Sequence, residues 1–199
     1  LLARVDGDRV RTMALAGSIQ RGATPAEDAA FGDELLASEK NRYEHQLVVD
    51  AIRDRLTPIT RSLTVDQTTL MRLSNIQHLY TPIEGVLNES CGILPVVAAL
   101  HPTPALGGDP SDVAMTLIRE LEPVPRGWFA APVGWLDRDL NGQFSVAIRS
   151  AVAQDQRVWM YAGAGIVADS EPLNEWDETA LKFRPMMHAL QITPPERAR

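Results

Sequence analysis

The sequence predicts an α+β fold. Its strand-like segments come in antiparallel groups set between helices, not in strict βαβα alternation. One long helical pattern fills residues 27–56, and residues 128–162 are a run of strands broken only by short turns.

Taken in order, the elements are as follows. Arg9 to Leu15 reads as a strand ending in the small-residue turn Ala16-Gly17-Ser18. A loop with Gly22, Thr24 and Pro25 leads into a single helix from about Glu27 to Leu56. There Leu35, Leu36, Tyr43, Leu47, Val48, Ala51 and Ile52 recur at helical spacing. Alternation around Ile59–Val65 and Ile76–Leu87 predicts strands. Two shorter helices are expected at about Ile93–Leu100 and Ser111–Leu121, the second opened by Pro110-Ser111-Asp112. Trp128–Leu136, Gln143–Ala151 and Arg157–Ala162 then predict an antiparallel meander. A last helix begins after Ser170 with Pro172 in its first turn, where proline is tolerated, and runs to about Leu190 with a kink at Pro185. Residues 1–190 are expected to form one domain and 191–199 a frayed tail.

Apolar residues make up 45% of the 199 and charged residues 23%, enough apolar surface to bury a core. The formal net charge is −7 with no run of Lys and Arg, so the basic footprint that grips nucleic acid is missing. No apolar run reaches the ~20 residues that span a bilayer. No secretory pattern opens the chain. Cys91 is alone, which rules out an internal disulfide, and four scattered histidines make no zinc spacing. The expectation is a cytoplasmic protein. The start at Leu1, not Met, directly in strand-like sequence, reads as a cut edge.

Several residues could carry chemistry. Glu175, Glu178 and Lys182 share one face of the last helix, as either a solvated acidic face or a ligand set. Lys40, Glu44 and His45 form a second cluster on the long helix. If the two helices face each other, Glu44 and Glu178 would bring oxygens from both sides to one hard cation such as Mg²⁺. Gly163-Ala164-Gly165 follows a predicted strand and would allow close backbone approach to an anion, though a tight hairpin explains it equally. It is not a dinucleotide fingerprint. Arg149 is either a surface residue at the end of its strand or a fork for a carboxylate. His78 is a core histidine or a pocket residue, and His101 to Gly108 must be a shaped loop.

The order of these segments is more specific than any one of them. Ala16-Gly17-Ser18 with Arg21-Gly22, Ser38-Glu39-Lys40 with Glu44-His45, Gln77-His78-Leu79 and the His101–Gly108 loop closely resemble the chorismate-utilising enzymes. Arg126-Gly127-Trp128-Phe129, Val146–Ser150, Ala162–Val167 and Glu175–Lys182 complete the match over about Met13 to Leu190. The resemblance implies the anthranilate-synthase type of α+β fold, with antiparallel sheets packed orthogonally and helices outside, of which this would be the C-terminal part. It implies Mg²⁺ held by Glu44 and Glu178, with Glu175 beside them or acting through water. Arg149, Gly163, Ala164, Gly165 and Lys182 would hold the carboxylates of chorismate, Gly17 and Ser18 would lie beside the reacting ring, and His78 would line the pocket.

Within that family, His101-Pro102-Thr103-Pro104-Ala105 looks like isochorismate synthases, because members that make anthranilate or salicylate commonly carry threonine where this chain has Ala105. Tyr80-Thr81-Pro82-Ile83 looks like the menaquinone type. Ser18 and Phe129 depart from the commoner threonine and tyrosine. The resemblance implies a lysine base and a glutamate acid, both expected before Leu1 in a missing N-terminal half, so no catalytic acid or base is assigned to this chain. The implied function is isomerisation of chorismate to isochorismate for menaquinone or siderophore synthesis. The alternatives are a salicylate- or anthranilate-forming member, or a non-catalytic chorismate-binding module.

Overall fold

The first two strands show how local sequence builds the sheet. In the computed structural model, which describes residues 1–74, 76–168 and 170–192, β1 (Ala3–Asp6) turns into β2 (Arg9–Gln20) through Gly7 and Asp8. Gly7 has φ +61°, a conformation glycine adopts without a Cβ penalty. Contacts divide the chain into two compact units. The first is Leu1–Leu121 with Pro132–Val146, and the second is Glu122–Ala131 with Ala147–Arg199.

The first unit holds seven described strands, all antiparallel, in the order β3-β5-β2-β1-β7-β6, with β4 also beside β5. These are β3 (Thr60–Val65), β4 (Thr69–Arg72), β5 (Ile76–Leu87), β6 (Pro132–Leu136) and β7 (Gly142–Val146). Because β5 is 12 residues long, β3 pairs with its second half and β4 with its first. Gln77, Leu79, Thr81, Ile83, Gly85 and Leu87 of β5 alternate onto the buried face, with Val10, Thr12 and Ala14 of β2. That face meets α2 (Glu39–Leu56), whose His45, Val48, Val49, Ile52 and Leu56 are buried at helical spacing. Ile93, Val96, Val97 and Leu100 of α3 (Ile93–Leu100) extend the same core.

The long helix expected over residues 27–56 is two helices, α1 (Pro25–Ala37) and α2. Ser38 interrupts them in an extended conformation (φ −66°, ψ 111°). Its N–H bonds back to Glu34 O and its Oγ accepts from Asn41 N, so one residue ends α1 and caps α2. Thr24 caps α1, accepting from Glu27 N, while Glu27 Oε2 reaches back to Ala23 N at 2.7 Å. The expected turn at Ala16–Ser18 is instead a bulge inside a continuous β2: Ala16 pairs with Leu79 and Ser18 with His78, leaving Gly17 as the extra residue at φ +72°. Pro104–Gly107 inside the His101–Gly108 loop forms a short helix, α4, before α5 (Ser111–Leu121).

The second unit contains β8 (Ser150–Gln154) paired with β9 (Arg157–Tyr161), and α6 (Pro172–Ala189) with Pro185 inside it. The meander is therefore not formed. The expected strand Gln143–Ala151 breaks at Ala147–Arg149, and Arg149 takes φ +51°, which cannot continue a strand. β6 and β7 join the large sheet and β8 and β9 pair separately. The strand expected from Trp128 starts at Pro132. Before it the chain turns, with Phe129 N bonded to Arg126 O, Ala131 N bonded to Trp128 O and Ala130 at φ +66°. Residues 193–199 of the expected tail lie outside the described residues. No described helix is long and apolar enough to cross a membrane.

Candidate functional site

In the first unit the structure joins three of the expected site residues. The β2–β5 register sets Ser18 opposite His78, with the Gly17 bulge beside them. A Cβ at Gly17 would lie 3.2 Å from Asn41 Cβ and 3.3 Å from Leu79 Cδ1, so α2 and β5 close on this position. One turn further along α2, His45 is buried with Nδ1 3.2 Å from Ala16 O and Nε2 2.7 Å from Thr81 Oγ1. Burial lowers the imidazole pKa, against the opposing effect of the Ala16 carbonyl. Glu44 immediately precedes it on α2 and is half-buried.

In the second unit, Lys182 Nζ donates to Gly163 O at 2.9 Å and pairs with Glu178 Oε1 at 2.7 Å. One ammonium thus links α6 to the segment after β9. The β8–β9 register ends at Ser150 opposite Tyr161, so Arg149 and Ala162 leave the same end of the hairpin. Arg149 and the Ala162-Gly163 segment thus set out from one end of the hairpin, and Lys182 is hydrogen-bonded to that segment. A Cβ at Gly163 or Gly165 would meet nothing within 4 Å, so packing within the described residues does not require glycine there. Open space beside a glycine backbone suits the approach of an anion. Glu175 lies one turn before Glu178 on α6. A non-glycine residue held at positive φ, as Arg149 is, marks a place where geometry is imposed on the chain.

Ala105 is exposed in α4, whose described contacts are with α2 and α5. Arg55 of α2 anchors the preceding loop by donating to Leu100 O (3.1 Å) and Pro102 O (2.6 Å). Glu44, Glu175 and Glu178 offer carboxylate oxygens, the hard donors that Mg²⁺ prefers. Among the described residues, no three His, Cys, Asp or Glu side chains form a group ready to hold a metal. Mg²⁺ commonly takes only one or two carboxylates, completing its shell with water and substrate.

Sequence reasoning gave no role to Asn41, to Thr81, or to Thr68, whose Oγ1 lies 2.8 Å from Thr81 Oγ1. Asn41 was legible in retrospect: Asn41 and His45 stand four apart, in line with the core residues Val48, Val49 and Ile52, so polar side chains continue a buried stripe.

The chorismate binding enzyme family model matches residues 1–191. The chain is 46% identical over 190 residues to the isochorismate synthase MenF of Bacillus subtilis, and 50% identical over 190 residues to the salicylate biosynthesis isochorismate synthase of Pseudomonas aeruginosa. Each match covers 95% of this chain and 40% of the relative. The solved structure of the menaquinone-specific isochorismate synthase MenF of Escherichia coli superposes with a TM-score of 0.90 at 36% identity, covering 96% of this chain and 44% of that one. The chain thus spans about two-fifths of the length of these relatives. With the family model matched along nearly all of its length, the chain belongs to the chorismate-binding enzymes.

Proposed function

We propose that this chain supplies the substrate- and metal-holding part of an isochorismate synthase, the enzyme that isomerises chorismate to isochorismate. The observation that carries the proposal is the Lys182 ammonium, which bridges Gly163 O, on the segment that leaves the β8–β9 hairpin, and Glu178, at the end where the left-handed Arg149 enters that hairpin. Chorismate is a dianion. A forked guanidinium, an ammonium and exposed glycine amides are the groups that would orient two carboxylates in a protein of net charge −7. Glu44 and Glu178, with Glu175 next to them or acting through water, would hold Mg²⁺. When bound, the metal would neutralise one substrate carboxylate and polarise the ring system. Gly17 and Ser18 would border the ring, with His78 across the β2–β5 pair, and Ala105 would keep a hydroxyl away from the substrate. The base that deprotonates the attacking water and the acid that protonates the departing hydroxyl are assigned to the length that the relatives carry beyond the matched residues.

The E. coli relative is menaquinone-specific and the P. aeruginosa relative serves salicylate biosynthesis, so the proposal stops at isochorismate itself. The test is chromatography of products from the full-length enzyme incubated with chorismate. Isochorismate should accumulate without glutamine or ammonia, disappear with EDTA and return with added Mg²⁺. Salicylate or anthranilate as the main product would overturn the assignment, and activity indifferent to EDTA would remove the metal from it.

A further inference from the structure

The face of α2 that meets the sheet is not apolar throughout. Val48, Val49, Ile52 and Leu56 pack into the core, but the same face continues toward the helix start as His45, Asn41 and Ser38. His45 is only 2% exposed, yet both ring nitrogens have partners. Ala16 O has no proton to give, so Nδ1 donates to it. On the other side Nε2 meets the Thr81 hydroxyl, which lies 2.8 Å from Thr68 Oγ1. The chain of contacts runs from the segment before β4, through β5 and α2, to β2 at the residue preceding the bulge. Asn41, one turn away, packs on Gly17 itself. Two residues of one helix therefore grip two consecutive residues of one strand, at the point where that strand leaves its register.

A leucine would fill this volume without the desolvation cost of a buried imidazole. What the imidazole adds is direction: it ties one carbonyl of the bulge to one turn of α2, and the neighbouring residue on that turn is Glu44. We propose that His45 is a positioning residue that holds the Ala16–Gly17–Ser18 bulge and Glu44 at a fixed spacing. This rests on the isochorismate synthase reading, in which the bulge borders the ring and Glu44 binds the metal. His45 touches neither substrate nor metal. It acts through the Ala16 carbonyl and through the seating of α2.

The experiment compares three variants of the full-length enzyme by kcat, KM for chorismate and Tm. His45→Asn keeps an N–H donor at the Nδ1 position, His45→Gln keeps one at the Nε2 position, and His45→Leu keeps neither. His45→Asn should retain kcat within about threefold. His45→Gln and His45→Leu should lower it roughly 10–100-fold, the scale of a misplaced reacting group, with KM changed far less. A side chain that only fills space would give kcat in the order of Tm, with the smaller asparagine no better than glutamine. If His45→Leu does not fold, the asparagine–glutamine pair carries the comparison. The ranking is read on whichever chorismate-derived product the wild type forms, so an unexpected product strikes the functional assignment alone, and no turnover by the wild type overturns both. An asparagine variant no faster than the glutamine variant, or a folded leucine variant with wild-type kcat, overturns the role of His45.

Discussion

Asp28 explains a pair of residues that the family resemblance alone had marked, Arg21-Gly22. Its carboxylate takes both arms of Arg21, Nε at 2.6 Å and Nη2 at 2.9 Å, and the Gly22 N–H at 3.0 Å. Arg72 Nε stands 3.5 Å away, and the wholly buried Gln77 donates to Asp28 O at 2.9 Å. A Cβ at Gly22 would collide with Asp28 N at 2.2 Å, so this glycine is required by close approach of the backbone. The Arg21 hydrogen bonds first, and the Gly22 amide next, hold the Asp28 carboxyl below its ordinary value of 3.8. A carboxyl lowered in the folded state adds stability that is complete above the unfolded pKa and is lost as pH falls through the folded one. Stability measured by urea titration should therefore fall below about pH 4, and Asp28→Asn should lose stability at neutral pH while flattening that acid limb. An unchanged slope in the variant would show that other carboxylates set it. At this scale the sequence was legible where partners are near in the chain, as with Glu178 and Lys182 at i and i+4. It was not legible where the partner lies 49 residues away, as Gln77 does from Asp28, or 29 away, as Ala16 does from His45.

Ser38 decides whether residues 25–56 form one helix or two. Leu36 and Tyr43, seven residues apart on either side of this position, keep the same helical phase, and for that reason the pattern alone predicts a single helix. The signal that it ends lies in side-chain chemistry: serine competes for backbone N–H groups, and Ser38 Oγ takes both Asn41 N (3.3 Å) and Asn41 Nδ2 (2.8 Å). Ser38→Ala should cost about 1 kcal/mol by the usual scale of an N-cap, whereas Ser38→Asp should cost much less, in equilibrium unfolding by denaturant. Equal losses in the two variants would mean that the break is imposed by packing and not by the cap. The strands divide in a similar way. β5 shows its full length in its alternation, and α3 and α5 show theirs in composition. The break between β7 and β8 is hidden, because Phe144-Ser145-Val146-Ala147-Ile148 alternates well and nothing about an arginine announces φ +51°. The β7–β8 break falls on Arg149 itself, an expected site residue, where a positive φ overrides the local pattern.

On the proposed reading, the residues assigned to this chain hold a dianion and a divalent cation, and none of them is assigned to move protons. The chain has two lysines. Lys40 is exposed on α2, and Lys182 directs its ammonium to Glu178 and Gly163 O. On that reading His78, the register partner of Ser18, is the histidine assigned to the pocket and the first candidate for a substitute base. The reaction also needs an acid on the other face of the ring, and one imidazole cannot reach both faces. Each acid or base typically contributes ~10²–10⁴-fold, so a protein lacking both falls below detectable turnover even if substrate and metal bind well. The match to 40% of each Bacillus and Pseudomonas relative leaves ample length there for these two groups. The 199 residues alone should therefore bind chorismate weakly in a Mg²⁺-dependent way, followed by calorimetry, yet form no isochorismate by chromatography over hours. Adding the complementary part of a full-length relative, expressed separately, should restore product. Isochorismate formed by these residues alone would place an acid and a base among them, with His78 the first to be substituted.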